Sequence, residues 1–207
     1  MRGKHIKREG DTIVRLFSVS DLLDEPSTIR SRIQIINALP FDEFEALPAT
    51  CLTWLSDTVL EYRQAYVLPE KPNSLDDKTP FLALVATLDY LQRIDFVHGD
   101  VNAKNLIYSS NRFHLIDFEP SFYRIKLGQR ALMATRPYLA QLDREQGIVS
   151  SRTDKLGFFY FVLRMRGKFD ASDRNRLTHT MDHSAYLGFD ENELDSTTFG
   201  ELLDRAW

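Results

Sequence analysis

The chain has a single cysteine, Cys51, in 207 residues, so no disulfide can form within it and a reducing compartment is the simpler expectation. Its apolar runs are short. Phe158 to Leu163 is six residues, far below the ~20 that cross a bilayer. The basic start, Met1 to Arg8, is followed by no apolar stretch of the secretory kind, so a cytoplasmic protein without a membrane span is expected. Positive charge is not in excess either. With 26 Lys and Arg against 30 Asp and Glu the net charge is −4, which speaks against a surface built to wrap nucleic acid. There is no internal repeat and no low-complexity tract. What remains, 43% hydrophobic and 27% charged, is the composition of an ordinary folded domain.

The first seventy residues read as β-rich with one helix. Lys4 to Arg8 and Thr12 to Phe17 flank a Glu9-Gly10-Asp11 turn and predict a hairpin. Ile29, Ile33, Ile36 and Leu39 recur at helical spacing between Pro26 and Pro40. Cys51–Leu55 and Thr58–Leu68 predict two more strands around Ser56-Asp57. Pro69 to Ser74, with two prolines, reads as a connector. Beyond it, Phe81, Leu84, Val85, Leu88 and Leu91 predict a helix to about Arg93. Short strands follow at Phe96-Val97, Leu106–Tyr108 and His114–Ile116, then a second strong helix at about Thr153 to Met165.

The stretch that carries chemistry runs Phe96-Val97-His98-Gly99-Asp100-Val101-Asn102-Ala103-Lys104-Asn105-Leu106-Ile107, with His114-Leu115-Ile116-Asp117-Phe118-Glu119 after it. Phosphoryl transfer from a nucleotide needs a carboxylate to orient and deprotonate an acceptor hydroxyl. It also needs a second carboxylate with an amide oxygen for magnesium, and a cation for the charge on the transferred group. Asp100, Asp117, Asn105 and Lys104 have the chemistry for those four tasks. His179 and His183 show no metal spacing with Cys51, and Trp54 and Trp207 read as packing residues.

On these residues the chain resembles the protein-kinase-like superfamily, whose catalytic loop is usually H-R-D-x-x-x-x-N. His98-Gly99-Asp100 with Asn105 reproduces that pattern with Gly for Arg, and Asp117-Phe118-Glu119 stands where the family has D-F-G. The H-G-D and D-F-E wording is also similar to that of lipopolysaccharide-core sugar kinases and aminoglycoside or choline phosphotransferases. Ala134-Thr135-Arg136-Pro137-Tyr138-Leu139-Ala140 resembles the end of an activation segment. Asp154 falls where the family has the Asp that bonds the catalytic-loop backbone. The resemblance implies an α+β, two-lobed protein-kinase-like fold, with a reduced β-rich N-terminal lobe over residues 1–70 and a mainly helical C-terminal lobe over 71–207. Gly99 removes the arginine that reads a phosphorylated activation loop, so constitutive competence is expected, although Ser121, Tyr123 and Thr135 remain candidate phosphosites.

The resemblance is weaker in the front half. No G-x-G-x-x-G occurs. Aligning Ile13-Val14-Arg15 with the V-A-I-K strand puts Arg15 in place of the phosphate-binding Lys, and Arg32 then falls near the expected helix Glu. Lys4 and Lys7 are alternative phosphate cations, and Glu43 or Glu45 an alternative acid. The resemblance implies an ATP- and Mg2+-dependent kinase acting on a hydroxyl, of a protein by preference. Asp100, Lys104 and Asn105 would be catalytic, Arg15, Lys104, Asn105 and Asp117 would bind the nucleotide, and Asn105 and Asp117 would hold magnesium. His98 would be structural. Two alternatives stand beside it: a sugar or other small-molecule kinase, and a pseudokinase scaffold whose nucleotide site a partner protein completes.

Overall fold

The computed structural model describes residues 6–22, 24–72, 75–118, 138–180 and 182–207. Lys4, Glu119, Ser121, Tyr123 and the stretch from Ala134 to Pro137 lie outside them. The protein is α+β. Its larger sheet is antiparallel throughout, with β1 (Ile6–Glu9), β2 (Thr12–Ser18), β3 (Thr50–Ser56) and β4 (Val59–Ala65) in the order β1-β2-β4-β3. Gly10, at φ +58°, supplies the left-handed turn of the first hairpin.

Helix α1 (Pro26–Asn37) joins β2 to β3. Pro26 opens it because the first helical position needs no N–H partner. Its stripe of Ile29, Ile33 and Ile36 is buried with Leu52 and Leu60 of the sheet. Asn37 fixes the far end, its amide bonding both the N–H (2.8 Å) and the carbonyl (2.9 Å) of Leu52. Along β4 the alternation that strands impose puts Leu60, Tyr62 and Gln64 inside.

Helix α2 (Thr79–Arg93) buries Phe81, Leu84, Leu88 and Leu91. Against it packs a second, two-stranded sheet, β5 (Leu106–Ser109) with β6 (Arg112–Leu115). Two residues, Ser110 at φ 50° and Asn111 at φ 60°, make the turn, the left-handed pair a tight hairpin requires. Four helices lead to the end: α3 (Gln141–Gln146), α4 (Ser151–Met165), α5 (Ala171–Thr180) and the one-turn α6 (Ser184–Leu187). The final helix, α7 (Phe199–Ala206), carries a capping box of Thr198 and Glu201. Every residue of α4 from Thr153 to Leu163 is buried, as in a helix surrounded on all sides.

One apolar core runs from Phe17 through Tyr62, Phe118 and Tyr160 to Ala206. Backbone bonds also cross from front to back, Leu115 N–H to Ala46 O at 2.8 Å and Glu70 N–H to Tyr108 O at 2.9 Å. Two expectations need correction. The fourth strand ends at Ala65, short of Leu68, and Phe96-Val97 forms no strand. The peptide groups at 96–97 are taken elsewhere: Phe96 N–H bonds Leu91 O at the end of α2, and Val97 O accepts from Arg32. Among the described residues no helix is long and apolar enough to cross a membrane.

Candidate functional site

The site begins where α2 stops. Asp95 turns the chain at φ 53°, Phe96 drops its ring into the core, and the loop from Val97 to Asn105 follows. The His98 ring is buried beneath it, in edge contact with Phe118 at 5.0 Å. Its Nδ1 accepts the Asp100 N–H at 3.3 Å, so Nε2 carries the proton and donates to Ile116 O at 3.0 Å. Burial, reinforced by the Arg32 charge, pulls its pKa down to about 4. A neutral ring that spends both nitrogens on backbone is a brace for the loop.

That brace presents Asp100, half-buried, to two amides. Asn102 Nδ2 donates to Oδ1 at 2.7 Å and Asn105 Nδ2 to Oδ2 at 2.9 Å, and both amides also bond Asp100 O. Asn102 Oδ1 in turn accepts the Lys104 N–H at 2.8 Å, closing the turn. Asp100 is thus fixed in orientation by two neutral side-chain amides, as suits a carboxylate that accepts a proton.

From Asn105 the chain leaves along β5 and returns along β6, and Ile116 N–H bonds Asn105 O at 3.0 Å. The tight hairpin therefore sets Asp117 next to Asn105. Asp117 has φ +67°, a left-handed conformation that Asp tolerates better than most residues. Its neighbour holds it there: Phe118 buries its ring against Phe96, His98 and Phe41, and Phe118 N–H bonds Tyr62 Oη at 3.3 Å. Burial pushes the Tyr62 phenol well above its ordinary range, so it stays a neutral partner.

Asp117 Oδ1 is paired with Arg15 Nη1. Arg15 comes from β2, directly across from Tyr62 on β4, and its guanidinium lies over the rings of Phe17 (4.7 Å) and Tyr62 (5.9 Å). Since cross-strand partners and residues two apart share a face, Ile6 and Ile13 lie on the Arg15 side of the sheet. Ile6 is exposed and Ile13 half-buried, an apolar strip beside a charged pair.

The loop is also gripped from behind. Asp154 on α4 accepts the N–H groups of His98 and Gly99, each at 2.7 Å. Burial nevertheless pushes its carboxyl up to about 7, against those two donors and the nearby Arg32. Arg32 on α1 donates to the carbonyls of Val97 (3.0 Å) and His98 (3.4 Å).

The structure thus brings Asp100, Asn105, Asp117 and Arg15 together. Lys104 stands apart: its side chain is exposed, and its recorded bond is through its backbone N–H. Of the alternatives, Lys7 pairs with Glu9 and Glu45 with Arg112 on β6, so neither is turned to Arg15 or Asp117. From the sequence, Arg32 reads only as a lost helix Glu, and Asn102 carries no assigned role. Asn102 is signalled by its place two residues after Asp100, where a side-chain amide folds back on the loop. Arg32 is signalled by the helical stripe Ile29, Arg32, Ile33, Ile36, in which it takes a core position. Compared with known proteins, the chain matches no family model and no curated protein.

Proposed function

We propose that the chain is an ATP- and magnesium-dependent phosphotransferase with a reduced, two-lobed protein-kinase-like fold, transferring the γ-phosphoryl group to a hydroxyl, by preference that of a protein. The observation that carries this reading is the meeting of Arg15, from the sheet, with Asp117, from the β5–β6 hairpin, beside the amide-held Asp100 and Asn105. These come from separate segments, and a packing role alone gives no reason to collect them around a half-exposed carboxylate.

In this reading Asp100 orients the acceptor hydroxyl and takes its proton. Asn105, whose Nδ2 is spent on Asp100, has Oδ1 left as a donor to a hard cation, and Asp117 supplies carboxylate oxygen. Two such ligands suit magnesium, which keeps several waters and takes the rest from phosphates. Bound there, magnesium would neutralise the phosphate oxygens during transfer. Arg15 grips a phosphate through its planar fork, Ile6 and Ile13 give the base an apolar wall, and Lys104 swings in from the solvent to meet the transferring group.

A second reading, a binding module without catalysis, is favoured by one observation: Arg15 already engages Asp117. Thermal shift with ATP, with and without magnesium, comes first. Saturation at 100 times Kd stabilises by ~2.7 kcal/mol, or roughly 5–10 °C for a chain this size, and no shift at millimolar ATP overturns both nucleotide readings. Radiolabel from γ-labelled ATP then separates them. Asp100→Ala should keep nucleotide binding and lose transfer, while Asp117→Ala should lose the magnesium-dependent part of the shift. Acid-precipitable label identifies a protein acceptor, and soluble label a sugar or other small alcohol.

A further inference from the structure

We infer that Arg32 is a positioning residue for Asp100, acting with Asp154 as a single buried ion pair relayed through two peptide groups of the loop. Its bearing on turnover rests on the function proposed above; the relay itself does not.

The geometry is paired on both sides. Arg32 Nη1 bonds Val97 O at 3.0 Å and Nη2 bonds His98 O at 3.4 Å. Asp154 Oδ2 takes His98 N–H and Oδ1 takes Gly99 N–H, both at 2.7 Å. Val97 O and His98 N–H are the two ends of one peptide group, and His98 O and Gly99 N–H the two ends of the next. Each peptide therefore lies between a guanidinium nitrogen and a carboxylate oxygen, with its dipole aligned along the line from positive to negative charge. Consecutive peptides in an extended strand point opposite ways; these two point the same way, and Gly99, at φ +85°, carries the chain out of that arrangement into Asp100.

Both charged side chains are buried, at 4% exposure each, and they come from helices far apart in sequence, α1 and α4. The two loop peptides lie between Arg32 and Asp154 as shared hydrogen-bond partners, and the Arg32 charge also acts on the Asp154 carboxyl across them. A charge-assisted bond is about twice as strong as a neutral one, and bonds in series polarise one another. The Phe96 ring, 4.4 Å beneath the guanidinium, holds the fork flat. Because Asp100 N–H is bonded to His98 Nδ1, rotation of either clamped peptide would turn Asp100 away from its acceptor. A helix Glu at the Arg32 position would face two carbonyls and repel them, which gives a physical reason for arginine there.

A double-mutant cycle on the full chain, run at a pH of about 8.5 where Asp154 is ionised, tests this by urea unfolding: Arg32→Met, Asp154→Asn and the pair. Side chains that do not touch normally give additive losses. The relay requires instead that the double variant be at least 10-fold more stable, in folding equilibrium constant, than the product of the single losses. Additivity within twofold overturns it. Should Arg32→Met fail to fold, Arg32→Lys replaces it in the cycle, and hydrogen exchange at the His98 and Gly99 amides should speed up at least 10-fold, since lysine reaches one carbonyl at a time. Unchanged exchange there also overturns the relay. Basal hydrolysis of MgATP gives the functional arm: Arg32→Lys should lower kcat ~100-fold with KM held, and a change in KM alone refutes the positioning role. Coupling without any ATP turnover by the native chain sinks the proposed function and leaves the relay standing.

Discussion

Gly157 offers a sharp test of how the loop is supported. It lies in the middle of α4, and a Cβ built there would stand 2.0 Å from Val101 O and 3.0 Å from Val101 C. Val101 directly follows Asp100 and is itself buried. To reach the 3.4 Å at which ordinary contact begins, the helix and the loop must part by about 1.4 Å. Alanine favours a helix by ~1 kcal/mol over glycine, while overpacking a well-filled core costs ~1–3 kcal/mol; backbone rather than a flexible side chain is in the way, so the upper end applies. Gly157→Ala should therefore lose about 2 kcal/mol, lowering Tm by roughly 4–8 °C. Displacing Asp100 by more than 1 Å should cost ~100-fold in turnover. The control is Gly200→Ala in α7, where the added methyl meets nothing nearer than 3.9 Å and a gain of ~0.5 kcal/mol is expected. Scanning calorimetry of the two variants decides the matter. If Gly157→Ala raises Tm as Gly200→Ala does, α4 does not press on the Asp100 loop.

Stability should depend on pH through three buried groups. His98 and His183 are both pulled down to about 4 by burial, from ~6.5 when exposed. Between those values the unfolded chain binds protons that the folded chain refuses, so stability falls as pH drops, by ~1.4 kcal/mol per unit for each group. Asp154, pushed up to about 7, holds a proton when folded that it gives up when unfolded, so it opposes them as pH falls from about 7 towards ~4. The net slope between pH 6 and 4.5 should be that of about one proton, and His183→Asn should flatten it; urea unfolding across that range would show an unchanged slope if the assignment is wrong. Tyr62→Phe removes the acceptor of the Phe118 N–H and should cost ~1 kcal/mol in the same assay, whereas no loss would mean that water replaces it. Phe118→Ala opens a hole among Phe41, Phe96 and His98 and should cost ~3–5 kcal/mol; a loss below 1 would refute tight packing under Asp117.

The elements legible in the sequence are those with a strong period. The stripe Phe81, Leu84, Leu88, Leu91 reads as one face of a helix, and the Ser56-Asp57 turn makes the β3–β4 hairpin legible, whereas nothing local signals that β4 also pairs with β2. The helices after α4 leave little to read in the sequence for a physical reason: α5 buries only Leu177 of its ten residues, so it carries no apolar stripe. Phe96-Val97 misled in the opposite way. Two β-prone apolar residues suggest a strand, yet whether peptide groups join a ladder depends on what else reaches them, and here Arg32 does. At the site, Asp100, Asn105 and Asp117 were legible because short spacings survive folding unchanged. Arg32 was not, because an arginine on an apolar stripe usually extends its head to solvent, and only the loop carbonyls above it make a buried head tolerable.

The Arg15 and Asp117 pair bears on both functional readings. Arg15 is buried, with its guanidinium over the faces of Phe17 and Tyr62, and its desolvated charge needs a counter-charge more than the carboxylate does; the Asp117 side chain is 28% exposed. The pair engages Oδ1. A carboxylate has two oxygens and about four lone pairs, so the bond to Arg15 uses one part of Asp117's capacity. In the function proposed above, a divalent cation approaching from solvent would meet Asp117 without first breaking the pair. In the same proposed function, this arrangement would serve as an anion and cation station, with Arg15 holding Asp117 in place before the ligands bind. A lysine in the same place would offer one compact charge where arginine offers a planar fork.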